Sequence, residues 1–119
     1  MIESSAEDTF YGELFDVGWP APARALRNKA FREWEAAGRP RSGQRPREDT
    51  PIGTTHFPWG DVPFLRYAPG MIVPDFDGDP DYGPMWAGES VSVITEVKPA
   101  GDIVRDLVRE AEAALDKAG

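Results

Sequence analysis

The sequence predicts a mainly α-helical fold interrupted by a long, irregular Pro/Gly-rich loop. Three observations predict it. Leu26, Ala30, Phe31, Trp34 and Ala37 recur at the spacing of one helix face. Nine of the 12 prolines fall between Pro40 and Pro84, too densely for a regular element of more than a few residues. Ile103, Val104, Leu107, Val108, Ala111, Ala114 and Leu115 then form a second helical stripe.

Taken in order, Met1 to Val17 mixes acidic and apolar residues without a sustained period, and Phe10, Tyr11, Leu14 and Phe15 predict a short piece packed on something larger. Gly18-Trp19-Pro20-Ala21-Pro22 breaks the backbone. Pro22 suits the first turn of a helix, where its missing N–H is not needed, so the first helix is expected over about 22–37. Gly38 is placed for a left-handed cap and Arg39-Pro40 stops continuation. The covering loop is expected over about 38–83. It carries Ile52, Phe57, Trp59, Phe64, Tyr67, Ile72 and Phe76, side chains that a flexible linker lacks. It is therefore expected to lie against a surface, and connections this long are uncommon in a domain that stands alone. A short helix is expected over about 84–95, where Pro84 can start a turn, although Val91, Val93 and Thr95 alternate like a strand. The terminal helix is expected over about 99–118, with Asp102 and Asp106 early and Lys117 late, as the helix dipole prefers.

At 119 residues the chain has the length of about one domain, and its four Trp, three Tyr and six Phe argue against disorder. No window approaches the ~18 apolar residues of a membrane span, and the start is acidic where a leader would be basic, so a cytoplasmic protein without a membrane partner is expected. The absence of cysteine removes disulfides, zinc-thiolate sites and cysteine nucleophiles together. The net charge is -8, but Arg24 to Arg47 holds eight basic residues against Glu33 and Glu35. Phe31 and Trp34 fall there at packing spacing and not as stacking platforms, so a solvated or internally paired basic face is expected and nucleic acid is not.

Few constellations carry chemistry. Asp75-Phe76-Asp77-Gly78-Asp79-Pro80-Asp81 starts like a calcium loop, but Pro80 holds the sixth position and Trp86 the twelfth, where Gly and Glu are required. No metal site is expected. His56 is the one histidine, and no catalytic role is assigned to it. Neither phosphate-cradling glycine pattern occurs. Gly88 permits close backbone approach, which close packing explains most simply.

Two stretches together resemble one family. Glu7-Asp8-Thr9 followed by Phe15-Asp16-Val17-Gly18-Trp19-Pro20 and then Arg24-Ala25-Leu26-Arg27-Asn28 is similar to the segment after the last barrel strand in nitronate monooxygenases, formerly called 2-nitropropane dioxygenases. Met85-Trp86-Ala87-Gly88-Glu89-Ser90-Val91, with Pro99-Ala100, Ile103-Val104 and Glu110-Ala111, resembles that family's closing Ala-Gly-Gln-Ser-Val stretch and terminal helix. The resemblance spans nearly the whole chain but only the family's C-terminal third. Residues 1–119 are thereby identified as the post-barrel C-terminal segment of a (β/α)8 TIM-barrel flavoprotein.

The resemblance implies oxidation of alkyl nitronates with FMN and dioxygen. It also implies that the phosphate loops and the catalytic histidine lie before Met1, in a barrel portion supplied by the same or a separate chain. For this chain alone no catalytic residue, no cofactor-binding residue and no bound FMN are expected. Trp86, Gly88, Glu89 and Ser90 are the pocket-side residues that the resemblance implies. Glu89 stands where the family has glutamine, exchanging a neutral amide for an anion, and Ala23 stands where histidine is common. The competing expectation is a small, non-catalytic protein-interaction module.

Overall fold

A buried strand pair and a capped helix organise the first half of the chain. The computed structural model describes residues 2–119. A 3-10 turn at Ala6–Asp8, closed by reciprocal Ser5 and Asp8 bonds, leads into β1 (Thr9–Gly12). β2 (Ala23–Leu26) pairs antiparallel with β1, Phe10 opposite Ala25 and Thr9 opposite Leu26. Side chains alternate across a strand, so Phe10 with Ala25 and Thr9 with Leu26 are buried on opposite faces of the ribbon, while Tyr11 at its far end is exposed. Phe10 and Ala25 join the main core with Leu14, Phe15, Phe31, Trp34 and Tyr67. Leu26 turns to a second cluster with Ala87 and Val91.

The α1 helix (Lys29–Ala36) starts at Asn28, whose side chain accepts from the Phe31 N–H at 3.1 Å and donates to the Gly83 carbonyl at 2.7 Å. It buries Ala30, Phe31 and Trp34 and is followed by Gly38 at φ +85°. The first helix expected over 22–37 is therefore corrected: its first turns are β2, and the asparagine cap outcompetes Pro22 as the start signal.

The larger correction concerns residues 38–83, expected as irregular chain. They contain β3 (Pro51–Phe57), β4 (Gly60–Leu65) and β5 (Phe76–Gly78), an antiparallel sheet in the order β4-β3-β5. The prolines fit because they avoid the ladder of the central strand. Pro51 is the first residue of β3, Pro58 lies in the hairpin turn and Pro63 is on the edge strand β4. Gly53 of β3 and Gly78 of β5 face each other beneath the Phe76 ring, and a Cβ at Gly53 would stand 2.3 Å from the Asp77 carbonyl oxygen.

The fold is thus two small antiparallel sheets with two α-helices. It is not mainly α, and the arrangement shows no post-barrel segment of a (β/α)8 barrel, which corrects the expected fold class. The short helix expected over 84–95 is also corrected. Trp86 bridges to Ala25, and only Glu89–Val93 turns, as a 3-10 helix. The terminal helix α2 spans Ala100–Ala118, and none of its residues is buried. The radius of gyration is 17.9 Å, against about 14 Å for a compact chain of this length, as a projecting helix requires. Among the described residues, no helix is long and apolar enough to cross a membrane.

One ionic centre ties the irregular loop to the core. The Arg45 side chain is fully buried and donates to Asp16 at 2.6 Å, to Glu48 at 2.7 Å and to the Leu14 carbonyl at 2.6 Å. Its guanidinium lies 4.7 Å from the Tyr67 ring centroid, and the Tyr67 hydroxyl donates to the Pro46 carbonyl at 2.8 Å. Burial raises the Glu48 carboxyl pKa, but the bonds from the Arg45 side chain and backbone outweigh it and hold the group below its usual 4.5. A carboxyl lowered by folding stabilises fully above pH 4.5, and that contribution is lost as the pH falls through the lower folded value.

Replacing Arg45 strands two buried carboxylates, so Arg45→Ala is expected to lower the unfolding free energy by about 3–5 kcal/mol in urea titrations. Arg39→Ala, which removes an exposed pair with Glu35 and a stack over Phe31 and Trp34, should cost about 1–2 kcal/mol. A change at Arg45 no larger than that at Arg39 would contradict the assignment.

Candidate functional site

The stretch Met85–Ala87 is brought to β2 by backbone pairing. The Leu26 N–H donates to the Met85 carbonyl at 2.9 Å, and the Ala87 N–H donates to the Arg24 carbonyl at 3.3 Å. These partners lie 59 and 63 positions apart in the chain, and the pairing sets Trp86 beside Phe15, edge to face, with centroids 5.8 Å apart. Trp86 is half-buried against the main core.

Two clefts share the Trp86 wall. The larger, about 410 Å³, lies between Trp19, Pro22, Pro69 and Trp86, with Phe15 at its base. The smaller, about 180 Å³, is lined by Trp86, Gly88, Ser90 and Ile94. A Cβ at Gly88 would meet only the Ser90 hydroxyl, at 3.7 Å, so this glycine is not required by close packing within the chain. It is one of the residues lining the smaller cleft.

Glu89 is turned away from its neighbours in the motif. Its carboxylate lies 3.3 Å from the Arg24 guanidinium, which also donates to the Thr9 hydroxyl at 3.1 Å and sits over the Tyr11 ring. Trp86, Gly88 and Ser90 thus line a cleft, while Glu89 lies outside its lining in an ion pair with Arg24. The Ser92 hydroxyl accepts from the Ala6 N–H at 2.6 Å and anchors this turn to the N-terminal one.

Trp19 and Arg24 stand in the first resemblance motif but were not among the expected pocket-side residues, and Tyr11 had no signal, because Arg24 and Glu89 meet only through the β2 pairing. The chemistry available is apolar stacking walls with one neutralised ion pair. A flavin ring suits such walls, but its phosphate needs free cations or clustered N–H donors. Arg24 is already engaged, and the Glu89 carboxylate would repel a phosphate. The residues present do not fit the phosphate end of FMN.

His56 stands elsewhere, on β3. Its Nδ1 lies 2.7 Å from Asp61 across the hairpin, on the sheet face that also carries Asp77 opposite Thr54. The hydrogen bond and charge of Asp61 raise the His56 pKa above 6.5, with smaller contributions from Asp77 and Asp75. This pair orients the ring, but no serine or threonine is bonded to it among the described residues. The acidic run is split likewise. Asp77 lies in β5 and Asp79 caps the 3-10 turn Pro80–Tyr82 and pairs with Lys29 at 2.7 Å. Among the described residues, no group of three or more His, Cys, Asp or Glu side chains is arranged to hold a metal ion.

An NMR titration of His56 is expected to give a midpoint above 6.5, and Asp61→Asn should move it down. An unchanged midpoint in that variant would contradict the pairing.

No protein-family model, curated protein or solved structure matches the chain.

Proposed function

We propose that this chain is a non-catalytic portion of an FMN-dependent, nitronate monooxygenase-like oxidoreductase. In this reading alkyl nitronates are oxidised with dioxygen on flavin held by another portion of the assembly, in the same or a separate chain. One observation carries it: the two stretches that resemble the family, about sixty residues apart, pair with each other, and Phe15 and Trp19 of the first meet Trp86 of the second at one aromatic cleft. The chain contributes apolar walls at Trp19 and Trp86, with Arg24 and Glu89 paired nearby.

A second reading, a non-catalytic protein-interaction module, is favoured by the uncovered α2 helix. The two readings diverge on flavin. FMN titrated into the chain alone is expected to keep its free fluorescence. Adding a flavin-binding portion of a nitronate monooxygenase should give flavin retention and nitronate-dependent oxygen uptake, and Trp86→Ala should weaken that association by about 30-fold, as loss of a buried aromatic anchor does. Stoichiometric FMN binding by the chain alone would contradict the proposal, and failure of any flavin-binding portion to associate would favour the interaction module.

A further inference from the structure

The α2 helix and the segment before it form a groove that the proposed flavoprotein role does not use. The groove is about 240 Å³ and open along one side. Its apolar floor is Val93, Ile94, Ile103 and Leu107. These side chains are 45–75% exposed, and Val104, Val108 and Leu115 extend the same apolar stripe. A contiguous exposed apolar surface of this kind marks an interaction site.

The rim is acidic. Glu96, Asp106 and Glu110 line it; Lys98 is held between Glu96 at 3.3 Å and Asp106 at 2.7 Å, and Arg109 pairs with Asp106 at 2.8 Å, so the three carboxylates outnumber the two cations and the excess charge lies toward Glu96 and Glu110. A second copy of this chain would bring the same acidic rim and a further net charge of -8 to the contact. Like charges set face to face across an interface oppose association. The backbone of α2 is satisfied within the helix and offers no strand edge, so recognition here runs through side chains.

We propose that this groove receives a basic amphipathic helix of a protein partner, its apolar side chains on Ile103 and Leu107 and its Lys or Arg residues against Glu96 and Glu110. The helix-in-groove mode matches an apolar floor with a charged rim. The inference stands apart from the flavoprotein reading, since its groove shares only Ile94 with the two clefts at Trp86.

Two synthetic helical peptides with one leucine stripe, flanked by lysine in one and by glutamate in the other, test it by fluorescence anisotropy with the full chain. The lysine peptide is expected to bind saturably, at least about tenfold tighter than the glutamate peptide, and to weaken with salt. The double variant Glu96→Gln, Glu110→Gln should lose about tenfold, with circular dichroism unchanged because both sites are exposed. Leu107→Glu should abolish binding, although it adds an anion that would strengthen a purely electrostatic attachment. Equal binding of both peptides, or tighter binding by Leu107→Glu, would overturn the proposal. So would sedimentation of the chain as a dimer that Leu107→Glu converts to a monomer, because the groove would then be filled by a second copy.

Discussion

The buried guanidinium of Arg45 is the constraint on which the rest depends. It is wholly enclosed and answers two carboxylates and a backbone carbonyl at once, beneath the Tyr67 ring. Three segments far apart in sequence converge on it: the turn after β1, the loop after α1 and the chain leaving β4. Each would be weakly held on its own, since none forms a long regular element. Charges buried this way are costly unless fully paired, so the arrangement tolerates few alternatives. Holding Asp16 in place also holds Phe15, and Phe15 supports the Trp86 wall of the clefts.

A second layer of pairing rests on that frame. β2 bonds to β1 along one edge and to Met85–Ala87 along the other, so the stretch near Trp86 completes a sheet that local sequence does not announce. The Asn28 side chain adds a tie from α1 to Gly83, just before that stretch. The basic segment from Arg24 to Arg47 is largely answered internally. Lys29 meets Asp79, Arg39 meets Glu35, Arg47 and Arg66 share Glu33, and Arg24 meets Glu89.

Legibility in the sequence follows the range of the interactions. Local ones could be read: the apolar stripe of α2, the Phe31 and Trp34 face of α1 and the left-handed Gly38. Non-local ones could not. β3 has a barely alternating pattern and gains its identity from two partners, one of them 21 residues away at Phe76. The prolines that suggested irregular chain sit where edge strands and strand starts permit them, which only the pairing reveals. At the site, Trp86, Gly88 and Ser90 were legible through motif resemblance, whereas the role of Glu89 depends on Arg24, a contact across 65 positions. Arg45 read as one of eight basic residues, and its burial had no local signature.

The account divides the molecule into a frame held by Arg45 and the β2 pairing, and a helix left uncovered for something else. Native-state hydrogen exchange tests that division most directly. The amides of Leu26 and Ala87, which bond the two motif stretches together, should exchange only with global unfolding. Those of α2 should exchange earlier through local opening, because none of its residues is buried and it gains little from tertiary packing. Protection of α2 equal to that of Leu26, or free exchange at Leu26 and Ala87, would contradict it.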